Sequence, residues 1–328
     1  MSARPFLFCV VILFCAGCGP GTSGNRTLRN MIPETVYSVR SDEDLPISGT
    51  RLWLPHPDGF VFDSARQILY KKDVGSIKII YSYGLQNNDS LTDFLHNLDS
   101  AGGRIYYSRR FRMDSCPAFL CYLKSTIPGE DQLVLSWGDE AFSVAGSALF
   151  PASDTRARDS LLKRMLSIYA DEQTPAGVAA AEPFTLDISQ TEFLYSASLG
   201  QIFLYTIGGK SNPYFDAGQD LFLVTKLLPS RGRPLKERAV DVLRTYATAN
   251  IQILHYTVSR VFIREEEAYE LEGGIRFNDK TGKLFMVVMG DPDRTLVLSA
   301  LLYEKVDQRL AEIIRIAQSL EFKNTITN

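Results

Sequence analysis

Apolar residues fall at every second position along two stretches of this chain, in the same order. Leu133, Leu135 and Trp137 lead to Gly138-Asp139, and Val144, Gly146 and Ala148 follow. Phe285, Val287 and Met289 lead to Gly290-Asp291, and Leu296, Leu298 and Ala300 follow. A period of two on either side of a Gly-Asp pair predicts a β-hairpin. The two hairpins lie 152 positions apart with no gap between their anchors, although Arg294 stands where Phe142 does.

The period then changes in both places. Arg158, Leu161, Leu162, Met165 and Ile168 make a helical stripe that Ser153 or Asp154 can cap, and Leu310, Ile313, Ile314, Ala317 and Leu320 make its counterpart. An earlier helix also occurs twice. Ser90 caps one with Leu91, Phe94, Leu95 and Leu98 on one side, stopped by Gly102-Gly103; Pro234 opens the other, with Leu235, Ala239, Val242, Leu243 and Tyr246. Between the helices lie "RIYYSRRFRM" and "AFLCYLKST" in one half, "IQILHYTVSRVFI" and "AYELEGGIRF" in the other. Each half therefore reads strands, helix, four strands in hairpin order, helix. Short links favour antiparallel pairing, giving an α/β fold of α+β type: two tandem domains, each a mainly antiparallel sheet flanked by two helices. They span 46–170 and 183–323, joined by a small-residue linker over 171–182.

The first 45 residues read differently. "PFLFCVVILFCAG" after Arg4 is shorter than the ~20 apolar residues that cross a bilayer, and matches the core of a signal peptide over 1–17. Ala16 and Gly17 before Cys18 resemble the lipobox of bacterial lipoproteins, with Cys15 where leucine is usual. That resemblance implies transfer of diacylglycerol to the Cys18 thiol, cleavage before it and acylation of the new amino terminus. Residues 18–45, with "GPGTSGNRT" and "RSDEDLP", are expected to be a flexible tether. Gly19, where an acidic residue would resemble an inner-membrane retention signal, points to the outer membrane and its periplasmic face.

With 328 residues and a net charge of -3, nothing global recruits nucleic acid. Chemistry is sparse. His56, His96 and His255 form no HExxH, and the chain carries neither CxxC nor GxSxG, so no catalytic residue, metal ligand or cofactor site is assigned. "IGGKSNP" lacks the spacing of a phosphate loop and reads as a turn. Asp139 and Asp291 are expected to bond backbone in their hairpin turns, and "REEEAYE" to be a solvated loop or strand edge. Cys116 and Cys121 are expected to point to opposite faces of one strand, which forbids a disulfide unless Pro117 turns the chain. In "RIYYSRRFR", alternation puts Arg104, Tyr106, Arg110 and Arg112 on one face. That face could bind carboxylates, phosphates or sugars, or could instead be an exposed strand whose charges deter edge-to-edge pairing.

"ISGTRLWLPHPDGFVF", "RFRMDSCPAFLCYLKST" and "LVLSWGDEAFSVAGSALFP", with the helices between and after them, resemble the PsbP-type domain. The likeness covers most of 46–170 and, less fully, 183–322. It implies tandem α/β/α sandwiches used for binding proteins, with no catalytic residues. The expectation is a lipid-anchored periplasmic scaffold, an accessory subunit of an envelope complex with a protein partner. A small-ligand carrier with an apolar pocket and a hydrolase are the alternatives.

Overall fold

The computed structural model describes residues 25–47, 50–56, 58–63, 66–83, 104–139, 142–171, 182–210, 218–230, 232–248 and 251–323. The protein is a mixed α/β chain in which strand predominates. It divides into two compact units, one ending at Ala181 and the other running on from Glu182.

The first unit opens with helix α1 (Asn25–Met31) and short strands β1 (Thr35–Val36), β2 (Leu45–Pro46), β3 (Leu52–Leu54), β4 (Val61–Asp63) and β5 (Ile68–Lys71). The long strands β6 (Gly75–Tyr83), β7 (Ile105–Met113), β8 (Cys116–Lys124), β9 (Glu130–Gly138) and β10 (Phe142–Pro151) follow, then helix α2 (Thr155–Leu166) and β11 (Tyr169–Ala170). Its sheet runs β1-β7-β8-β9-β10-β6-β5-β4, antiparallel except where β1 lies parallel to β7. The predicted alternation sends Leu133, Leu135, Trp137, Val144 and Ala148 into one core with Ala157, Leu161, Leu162 and Met165 of α2. Asp154 is the helix cap, accepting from the backbone N–H of Arg156 and Ala157 at 2.9 Å each. Gly146 lets the helix come close, because a Cβ there would lie 3.0 Å from the Met165 methyl. The helix expected after Ser90, with His96, lies outside the described residues.

The expected tether departs from the sequence reading. From Asn25 onward the segment is folded onto the first unit. Leu28 and Ile32 of the α1 region are buried in the core, and Ser38 donates through its N–H and its hydroxyl to Asp114 at 3.0 and 2.6 Å. Leu28, Met31 and Ile32 stand at i, i+3 and i+4, a single apolar turn hidden among polar neighbours.

The second unit contains β12 (Phe184–Thr185), β13 (Phe193–Leu199), β14 (Ile202–Ile207), β15 (Leu221–Leu227) and helix α3 (Leu235–Thr248). Strands β16 (Ile251–Ile263), β17 (Glu266–Phe277), β18 (Lys280–Gly290) and β19 (Thr295–Leu302), helix α4 (Val306–Ser319) and β20 (Glu321–Phe322) complete it. Its antiparallel sheet runs β16-β17-β18-β19-β15-β14-β13, the order of β7-β8-β9-β10-β6-β5-β4. Pairing agrees rung by rung across the 152-residue shift: Trp137 faces Val144 as Met289 faces Leu296, and Leu135 faces Gly146 as Val287 faces Leu298. Even the last strands correspond, β11 pairing with β3 and β20 with β12.

In this unit α3 seats Leu235, Ala239, Leu243 and Tyr246 against Leu284, Met286 and Val288. The intervening residues of β18 point to the opposite face. On that face Arg309 of α4 lies over the Phe193 ring and beside Asp220. The buried line of α4 is Arg309, Ile313, Ile316 and Ala317, with Leu320 beyond it, so the helix is turned relative to the predicted stripe, and Leu310 and Ile314 sit on its flanks, half-buried. An ion pair from Arg309 to Glu192 at 2.6 Å and another to Glu312 at 3.0 Å make a buried arginine acceptable there, which an apolar pattern does not register.

Candidate functional site

Both Gly-Asp pairs are turns, as their sequence suggests. Asp139 Oδ1 accepts from the Phe142 N–H at 2.8 Å, and Asp291 Oδ1 accepts from Arg294 at 2.8 Å and Asp293 at 2.9 Å. These oxygens are committed to backbone, and the other Asp139 oxygen pairs with Arg51 at 3.1 Å, so the surfaces left to consider are the outermost long strands, β7 and β16.

On β7 the four residues expected on one face are divided. A β-bulge between Ile105 and Tyr107 inserts Tyr106 as an extra residue, which breaks the alternation. Arg110 and Arg112 stand opposite Phe119 and Pro117 and are exposed. Tyr106 turns to the other side, its ring centroid 4.8 Å from that of Tyr122, and Arg104, just before the strand, lies over the Tyr106 ring at 5.5 Å. Tyr122 donates to Asp131 at 2.6 Å and Arg158 covers the Tyr122 ring at 5.7 Å. Burial raises the Asp131 carboxyl above its ordinary range, offset in part by hydrogen bonds from Tyr122 and Tyr106. Burial also raises the hydroxyl of Tyr122. Arg104 and Tyr106 thus border a buried polar cluster, while Arg110 and Arg112 belong to the surface. On β8, Cys116 and Cys121 are both thiols, and burial pushes Cys121 up to about 12. Cys18 lies outside the described residues.

The edge of β7 is partly occupied. The N–H of Arg112 donates to the Glu34 carbonyl at 3.0 Å and that of Asp114 to the Val36 carbonyl at 2.8 Å, while Arg109 reaches the Arg29 carbonyl at 2.8 Å. A stretch of the chain's own backbone fills part of this edge.

Strand β16 holds the same place in the second unit and is managed differently. It has thirteen residues, about twice the common strand length, and no strand pairs with its outer side among the described residues. Leu254, Tyr256 and Phe262 are 42%, 45% and 66% exposed, so apolar side chains stand in water along an open edge. A bulge between Ile253 and His255 bends the strand beside Gly273 and Gly274. A Cβ on Gly273 would lie 2.3 Å from the His255 carbonyl oxygen, so the close approach of the two strands there requires glycine. Tyr256, Val258, Arg260 and Phe262 share the face that carries α3; Thr257, Ser259 and Val261 share the other, opposite Glu272, Glu270 and Ala268. Arg260 pairs with Glu267 at 3.0 Å and Lys283 with Glu272. Burial and the neighbouring Glu272 raise the Glu270 carboxyl, and among the described residues no cation pairs with it. The sequence reading passed over this edge because "IQILHYTVSRVFI" carries no motif; its unusual length was the available signal.

Among the described residues no three His, Cys, Asp or Glu side chains are grouped to hold a metal ion, and no helix is long and apolar enough to cross a membrane. No family model and no curated protein matches the chain. Solved structures similar to it include one from Bacteroides thetaiotaomicron, 10% identical over 44% of this chain and 46% of that one, with a TM-score of 0.30; the chain spans under half its length. The cyanobacterial PsbP of Synechocystis is 9% identical over 48% of this chain and 85% of its own, at 0.28. A T6SS immunity protein of Pseudomonas aeruginosa, complexed with a peptide, is 12% identical over 82% of this chain and 100% of its own, at 0.33. Likenesses this distant carry no argument for fold or function.

Proposed function

We propose that this chain is a non-catalytic binding protein of the cell envelope. It is held on the periplasmic face of the outer membrane by lipid on Cys18 and engages a protein partner. Two copies of one PsbP-like α/β/α unit form its body, a reading supported by their common strand order, matching rungs and matching end-strand pairs. The observation that carries the binding role is β16: a long edge strand with no strand on its outer side among the described residues and with exposed Leu254, Tyr256 and Phe262. Such an edge is a template for strand addition, in which backbone hydrogen bonds give affinity and alternate side chains give specificity.

A photo-crosslinking residue placed at Phe262 tests this in intact envelopes. The expected outcome is one discrete adduct, lost when Tyr256→Lys is added and absent when the probe sits at buried Ile313. Equal adducts from both positions, or none from position 262, would reject the edge as the docking site. Cys18→Ser is expected to abolish lipid labelling and membrane fractionation; unchanged labelling would refute the anchor.

A further inference from the structure

The two sheet edges differ in occupancy, and the side chains beside β16 specify what it accepts. In the first unit β7 carries Arg109, Arg110 and Arg112, and the segment seated on it begins at Glu34. Met113 faces Cys116 across a two-residue turn as Ile263 faces Glu266, so the rungs where β1 docks on β7 correspond to the Phe262 end of β16. That end has no strand on it among the described residues.

Two carboxylates stand beside the middle of the same strand. Behind Thr257 and Ser259, whose side chains are short, stand Glu272 and Glu270 of β17. Adjacent strands are about 4.8 Å apart, so a strand added outside β16 would lie about 10 Å from β17, within reach of a lysine or arginine side chain extending over Ser259. Glu266, Glu267 and Glu272 already have Arg294, Arg260 and Lys283, whereas Glu270 has no such partner among the described residues. The opposite side of the same edge offers Tyr256, Val258 and Phe262.

Resting on the binding role above, we propose that β16 accepts an extended segment of a partner polypeptide in which apolar and basic residues alternate. Its apolar side chains lie beside Tyr256 and Phe262, and its basic ones reach over Ser259 to Glu270.

The test uses the full-length protein and two synthetic peptides, one alternating valine with lysine, the other valine with glutamate. Hydrogen exchange locates binding and anisotropy measures it. The valine–lysine peptide is expected to protect amides of residues 251–263 and to bind at least tenfold tighter than its glutamate counterpart. Glu270→Gln is expected to remove most of that difference without altering exchange in the unliganded protein. Equal affinity for both peptides, or an unchanged ratio in Glu270→Gln, overturns the charge assignment and leaves strand docking standing. If neither peptide protects β16, docking by strand addition fails as well. Protection of these amides that rises with protein concentration alone makes a second copy the occupant and overturns the proposal.

Discussion

At Asp131 a carboxyl is buried beside two tyrosine hydroxyls, and its ionisation is coupled to folding. Because burial raises its pKa, the folded chain holds this proton to higher pH than the unfolded chain does. The contribution is present below the unfolded value near 4 and is lost as pH rises through the folded value. Asp131→Asn should therefore flatten the fall in stability with rising pH across that window, read from denaturant midpoints at a series of pH values. Glu192 has the opposite sign. Its hydrogen bond to Arg309 lowers its pKa, so its contribution is present above the unfolded value and lost as pH falls. Glu192→Gln should weaken the second unit at neutral pH and have little effect in acid. Single positions also account for the mismatch at the hairpin turns of the two units. Arg51 lies over the Phe142 ring at 4.3 Å, and in the second unit Arg294, at the position of Phe142, lies over Phe322 at 4.2 Å. Each unit has a cation over a ring beside this turn, built from different positions: Arg51 precedes β3, whereas Phe322 lies in β20. At the adjoining turns Gly138 and Gly290 have φ of 153° and 114°, and a Cβ would sit 2.4 and 2.1 Å from the carbonyl oxygens of Phe142 and Arg294. Replacing either with alanine should cost about 1–3 kcal/mol, measured by equilibrium unfolding.

Among the elements, those set by side-chain period were legible in the sequence, and those set by position in the sheet were not. The hairpins at Gly138 and Gly290, the capped helix after Asp154 and the helix from Pro234 follow from alternation, caps and stripes. The bulge at Tyr106 could not be read, since nothing in "RIYY" marks an extra residue, and one slip sends a side chain to the opposite face. Nor could the turn of α4, because a buried arginine looks polar until its partners from Glu192 and Asp220 are in place. Helix α1 was hidden by composition: one apolar turn within a polar stretch is anchored by the core it enters. Leu28→Ala should therefore destabilise the first unit by about 2–5 kcal/mol, a cost expected of a core leucine and not of a tether, measured by chemical denaturation.

For the whole molecule, seven sheet strands keep one order in each unit, and a helix follows the last of the long strands in both. Each unit has its own core, so residues 25–181 and 182–328 expressed separately should each unfold in one cooperative transition; calorimetry of the two pieces checks this. The units differ at their outermost strands: residues 34–36 cover part of β7, whereas no strand lies outside β16 among the described residues.

The pairing of β11 with β3, and of β20 with β12, has a further bearing. It brings the last strand of the second unit alongside its first, and that of the first unit alongside β3, so the body from β3 or β12 onward is a ring closed by a few backbone hydrogen bonds. A ring of this kind can be cut elsewhere and rejoined through that seam with most of its interior intact. It can also be strung head to tail along a polypeptide with only a short connector.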